Sequence, residues 1–157
     1  MLPKTRKKAL QKEIAAAEHA RELVVDVLMA LQAHYGHVTD EAVFEAADLL
    51  GMTPMEIEEV ATFYTFIYRR PVGKYVIHVC DSVICWMESE RPLLEVLCEK
   101  LGIAPGETTA DGLFTLLPVC CIGYCDRAPA MLINRKAYGP LTENKIDRIL
   151  TGLRQEG

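Results

Sequence analysis

The stretch Lys74–Cys85, KYVIHVCDSVIC, decides how this chain folds. Its first seven residues alternate in side and are rich in β-branched types, which predicts a strand ending at Cys80. The chain then turns through CDSVIC, a loop with a thiol at each end. A similar pairing recurs downstream: LFTLLPVC (113–120) predicts a second strand and runs directly into CCIGYC (120–125). Pro118 near the end of that strand suits a sheet edge or a bend. Between the two strands, Pro92 opens a helix that carries Leu94, Leu97, Cys98 and Leu101 and closes at Gly102, followed by the loop GIAPGETTADG. A strand, helix, strand order predicts a right-handed crossover with parallel strands. Both cysteine loops then fall at one sheet edge, past the carboxyl ends of the strands, where α/β sheets place ligands.

Working outward, AMLIN and KAYG read as a hairpin turning at Asn134-Arg135, and Thr142 caps a last helix whose Leu141 and Ile146 can staple together. Upstream the pattern changes to helical spacing. Leu10, Ile14, Ala17, Val24, Leu28 and Leu31 predict one long amphipathic helix ending near Gly36. A second begins at Thr39 or Asp40, carries Val43, Phe44, Ala47 and Leu50, and stops at Gly51. Thr53-Pro54-Met55-Glu56 is a capping box with proline in the first helical position, opening a third helix through Ile57, Val60, Ala61 and Tyr64. The aromatics of FYTF (63–66) are expected to pack in the core or between domains, with a docking surface as the other reading. Arg69-Arg70-Pro71-Val72-Gly73 breaks the pattern. The expected organisation is a helical region over residues 1–72 and a β-α-β-β-α domain over 73–157: α/β in its second part, α+β overall.

The chain has 157 residues, half of them hydrophobic, and a formal net charge of −5. It is long enough to bury a core, and its acidic balance argues against nucleic acid as a partner. No apolar run is long enough for direct membrane insertion. The opening MLPKTRKKALQKEIAAAEHA has charges throughout and no apolar signal core, so a reducing compartment is expected. Six cysteines in such a compartment point to metal or redox chemistry rather than to three structural disulfides.

Four converging thiolates suit several centres. Zinc takes a single tetrahedron of them, mostly with shorter spacing within each pair. A 2Fe-2S cluster needs two thiolates on each of two irons, and Gly123 would let backbone N–H groups approach the sulfur atoms. Catalytic thiols are the third reading, weakened by the absence of any CxxC. No GxGxxG occurs, so the chain is not expected to bind NADH itself.

CDSVIC, with DGLFTLLPVCCIGYCDRAP some thirty residues later, closely resembles the thioredoxin-like 2Fe-2S subunit of the NADH-oxidising module of bacterial respiratory complex I. The helical stretch HYGHVTDEAVFEAADLLGMTPMEIEEVATFYTFI is similar to that family's N-terminal region. The resemblance implies a thioredoxin-like domain behind a helical bundle, with one 2Fe-2S cluster held in the pattern C-x4-C…C-x3-C. The ligands it implies are Cys80, Cys85, Cys121 and Cys125. It further implies FMN and NADH on a neighbouring flavoprotein subunit, an adjacent large iron-sulfur subunit, and a place on the cytoplasmic side of the bacterial inner membrane. Related subunits serve NAD-linked hydrogenases and formate dehydrogenases, and a zinc-stabilised scaffold is the reading from another class.

Adjacent strand residues point to opposite sides, so Cys120 is expected as a buried small hydrophobe once Cys121 is a ligand. Cys98 is expected in the core. His78 lies two residues before Cys80, and a lone histidine beside thiols predicts a local hydrogen bond or a partner contact rather than a Rieske-type ligand. His34 and His37 flank a helix end, where a terminal charge or hydrogen bond is the ordinary role. Trp86 and Met87, directly after Cys85, are candidates to cover the cluster or to meet a partner.

Overall fold

The protein is described by a computed structural model, which covers residues 1–156. Two compact units make up the chain, Met1–Pro71 and Val72–Gly157. The first is helical: α1 (Lys4–Ala16), a 3-10 turn (Ala20–Leu23), α2 (Val24–Tyr35), α3 (Asp40–Leu50) and α4 (Pro54–Phe63). The long helix expected over 10–31 is therefore two helices, with extended backbone at Ala17 and His19 between them. Packing explains the break. Leu10, Val24, Leu28 and Leu31 share one core cluster, whereas a straight helix would hold Leu10 and Leu31 about 30 Å apart.

Local chemistry fixes the starts of the other helices. Thr39 caps α3 by accepting from the Ala42 N–H at 3.2 Å. At α4 the Thr53 hydroxyl accepts from the Glu56 N–H at 3.3 Å, and Glu56 accepts from the Thr53 N–H at 2.9 Å; a cap of this kind contributes about 1 kcal/mol. Gln32 clasps the segment after α4, donating to the Phe66 carbonyl at 2.9 Å and accepting from the Tyr68 N–H at 2.6 Å. That clasp leaves the aromatics expected inside on the surface: Phe63, Tyr64 and Phe66 are exposed, and so is Phe44 on α3, where Val43, Ala46 and Ala47 are buried instead.

The second unit is a mixed four-stranded sheet with helices: β1 (Tyr75–Cys80), α5 (Val83–Met87), α6 (Leu93–Leu101), β2 (Phe114–Val119), a 3-10 turn (Cys125–Arg127), β3 (Met131–Ile133), β4 (Lys136–Tyr138) and α7 (Glu143–Glu156). The strand order is β2-β1-β3-β4. β1 and β2 are parallel, with Cys80 opposite Val119; β3 runs antiparallel to β1, with Val79 opposite Met131. β2 is an edge strand, and Pro118 lies exposed on it, where a missing N–H costs no ladder bond. Asn134 takes a left-handed turn (φ 53°) between β3 and β4, and its side chain accepts from the Val76 N–H at 2.9 Å, bracing the sheet at the start of β1. Ile77 and Val79 pack with Leu93, Leu97, Phe114, Leu116, Leu141, Ile146 and Leu150 in the core of this unit. Thr142 caps α7, accepting from the Lys145 N–H at 3.3 Å.

Candidate functional site

Cys80 is the last residue of β1, and Cys121 lies two residues beyond the end of β2. Because those strands are parallel neighbours, both loops leave from the same sheet edge. The ladder continues past the strands: the Asp81 N–H donates to the Val119 carbonyl at 2.9 Å, so the two loops start side by side. The first loop then winds into α5, a short helix that periodicity could not reveal in a segment of five residues. It places Cys85 next to Cys80, within hydrogen-bonding reach. The second loop turns at Gly123 (φ 75°) and brings the Cys121 and Cys125 sulfurs to 3.8 Å. Cys121 also lies within reach of Cys80. Thus Cys80, Cys85, Cys121 and Cys125 meet as two pairs, one from each loop.

Among the described residues no three His, Cys, Asp or Glu side chains are grouped as a single metal ion requires. A dinuclear cluster divides its four thiolates two and two between its irons, and the donor set here, all sulfur and paired by loop, fits that group.

The environments of the pairs differ. Cys80 and Cys85 are 3% and 2% exposed, and Cys121 and Cys125 are exposed. Burial, with the neighbouring Cys80 thiol adding to it, pushes the Cys85 thiol up to about 11. The Gly123 N–H, 3.4 Å from the Cys121 sulfur, leads the contacts that hold the Cys121 thiol below its ordinary value. Cys125 moves the other way, raised first by the hydrogen bond with Cys121 and then by its charge. Only the thiolate ligates a metal, so burial makes Cys85 resist deprotonation while the N–H on Cys121 favours it.

Two supports were not foreseen from the sequence. Ala130, fully buried after the cis Ala128–Pro129 peptide, accepts from the Cys80 N–H at 3.3 Å and hydrogen-bonds through its own backbone to Cys85. Gly139 presses on the second loop: a Cβ there would sit 2.1 Å from the Arg127 carbonyl oxygen. Both lie far from the first cysteine pair in sequence, and a glycine before Pro140 is the sole local signal.

Several expectations change. Cys120 is exposed rather than buried, because it lies past the end of an edge strand with no sheet neighbour to cover it. Cys98 is half-buried against the core of the sheet unit. His78 is fully buried at mid-strand, opposite Leu117 on one side and Leu132 on the other, which removes it from any partner surface. Trp86 and Met87 do not fold over the thiols; they are 64% and 67% exposed on α5, with Val83 and Ile84 exposed beside them.

The thioredoxin-like [2Fe-2S] ferredoxin family matches residues 10–154. An NADH-quinone oxidoreductase subunit from Pseudomonas aeruginosa is 37% identical over 150 residues, covering 96% of this chain and 90% of its own. Its namesake in Escherichia coli K12 is 41% identical over 144 residues, covering 92% and 87%. Among solved structures, the air-oxidised NAD+-reducing [NiFe]-hydrogenase superposes with a TM-score of 0.70 at 30% identity, over 83% of this chain and 23% of that one.

Proposed function

The chain belongs to the thioredoxin-like [2Fe-2S] ferredoxin family, and from that premise we propose that it is the electron-transfer subunit of an NADH:quinone oxidoreductase, holding one 2Fe-2S cluster on Cys80, Cys85, Cys121 and Cys125. The observation that carries the ligand set is the meeting of those four thiols, in two pairs, past the ends of β1 and β2. When bound, such a cluster takes up and returns single electrons. The chain's own residues supply the holding. Burial of Cys80 and Cys85 keeps water from one pair, the Gly123 N–H orients Cys121, and the Ala130 backbone holds the strand end and the Cys85 thiol in register.

Hydride chemistry lies elsewhere. The chain has no GxGxxG, and FMN and NADH belong to a partner flavoprotein that exchanges single electrons with this chain. A large iron-sulfur subunit is the second neighbour. No helix among the described residues is long and apolar enough to cross a membrane; attachment to the cytoplasmic side of the inner membrane runs through these partners. The chain spans 87–90% of the two oxidoreductase subunits compared above and 23% of the hydrogenase chain, which favours the quinone-linked complex.

The division of labour is tested by reduction. NADH added to the isolated chain should leave its visible spectrum unchanged. NADH added after the flavoprotein should bleach it and raise a paramagnetic signal. Bleaching by NADH alone would contradict the assignment.

A further inference from the structure

We infer that the groove between α3 and α4 of the helical unit is a docking site for a basic amphipathic helix supplied by a neighbouring subunit. The inference concerns a surface away from the thiols and rests on the reading of this chain as a subunit of a larger complex. It starts from side chains that the unit leaves uncovered. Phe44 on α3 and Met55 on α4 are 61% and 70% exposed, although Val43, Ala46 and Ala47 beside Phe44 are buried. Both line one open groove of about 350 Å³, together with Val43 and Pro54. Large apolar side chains that share a groove mark an interaction surface, whereas scattered single ones need no explanation.

The charge around that groove indicates what fills it. From Val38 to Tyr68 the chain carries seven carboxylates and no lysine or arginine. Helical spacing gathers five of them around the two apolar side chains. Asp40, Glu41 and Asp48 stand four before, three before and four after Phe44, and Glu58 and Glu59 stand three and four after Met55. Glu41, Asp48 and Glu59 are exposed. One cation borders the groove, Arg69, and it is already held within the unit, donating to Asp40 at 2.7 Å and to Glu58 at 2.9 Å. The face is therefore net negative. An apolar groove with an acidic border matches a segment that has apolar anchors and a rim of lysine or arginine, and it repels phosphate headgroups and nucleic acid.

Two further observations narrow the occupant. Every element of this unit is helical, so it presents no sheet edge to an extended peptide, and a groove between two helices takes the apolar face of a third. A second copy of this chain does not fit. Its basic helix is α1, with Lys4, Lys7, Lys8 and Lys12, but the apolar side chains that helix could offer, Leu10 and Ile14, are packed in its own core. The anchors must come from another protein.

The test uses the assembled complex. A photoreactive benzoylphenylalanine is placed at position 44, the complex is irradiated, and the cross-linked peptide is identified by mass spectrometry. A cross-link to another subunit, on a segment bearing lysine or arginine among apolar residues, supports the inference. A cross-link to a second copy, to lipid or to a segment without basic residues overturns it, and so does the absence of any cross-link. A second arm measures the affinity of the full-length chain for the rest of the complex at low and high salt. Phe44→Ala should weaken it about tenfold at both, and Glu41→Lys combined with Asp48→Lys should weaken it at low salt only. Melting temperature and iron content of these variants should match wild type, because all three side chains are exposed. Unchanged affinity in either variant overturns the inference. A wild-type chain that joins no complex would instead overturn the subunit assignment, so the two failures are distinct.

Discussion

The two thiol loops are built on opposite plans. The first is closed: Cys80 ends a central strand, Cys85 sits in α5, both are buried, and Ala130 grips the pair through its backbone. The second is open: Cys121 and Cys125 are exposed on a segment whose regular structure is a single 3-10 turn, and it follows an edge strand rather than a central one. The contrast teaches that a four-thiolate site need not be equally preformed on both sides. One half is carried by the core of the sheet. The other depends on a few backbone contacts: the ladder bond from Asp81, the Gly123 N–H and the close approach of Gly139 to Arg127.

The sharpest way to break this picture is within the open loop. Cys121→Ser should lower iron content about tenfold or more, while Cys120→Ser leaves it unchanged. Losing a residue that merely supports a ligand already costs about 10-fold in metal affinity, and losing the ligand itself costs more. Iron assay of anaerobically purified variants decides it; the reverse pattern would place the wrong member of the doublet in the site. Next in size is the support beneath that loop. Gly139→Ala drives a methyl into the Arg127 carbonyl and should cost about 2 kcal/mol in thermal unfolding. Val83→Ala, exposed on α5 of the closed loop, should cost less than about 0.5 kcal/mol. Equal losses would erase the distinction between the loops.

A smaller effect belongs to the buried pair. Burial raises the Cys85 thiol from an ordinary 9.0 to about 11, so the folded chain binds that proton more tightly than the unfolded one. The associated stability is complete below about pH 9 and is lost as pH climbs through about 11. The unfolding midpoint of metal-free protein should fall over that interval, and the fall should shrink in Cys85→Ser. A slope untouched by the substitution would assign the titration to another group. The smallest effect is at Arg127, an exposed residue 3.8 Å from Asp126: Arg127→Glu should lower the reduction potential slightly with iron content intact, since solvent screens the charge. An unchanged titration would remove Arg127 from the electrostatics of the site.

Much of this was legible from the residues. Strands with period-two alternation and cysteines at their ends give the parallel pair and the shared edge, and the capping box at Thr53 reads the start of α4 correctly. What local pattern could not reveal depends on distant partners. The break between α1 and α2 arises because Leu10 must join Leu28 and Leu31 in one core, which spacing along a single helix does not show. Phe63, Tyr64 and Phe66 look like core residues by type, yet the Gln32 clasp turns their segment outward. Cys120 follows the alternation rule only while the strand lasts, and β2 ends one residue earlier. Gly139 and Ala130 act on the site from around a hairpin that carries no metal-binding signature.

The central claim is that two loops, each contributing two sulfurs, hold a dinuclear iron centre. It is tested most directly by metal and sulfide analysis of the chain isolated without oxygen. The account predicts about two iron and two acid-labile sulfides per chain. One zinc per chain, or neither iron nor sulfide, would contradict it.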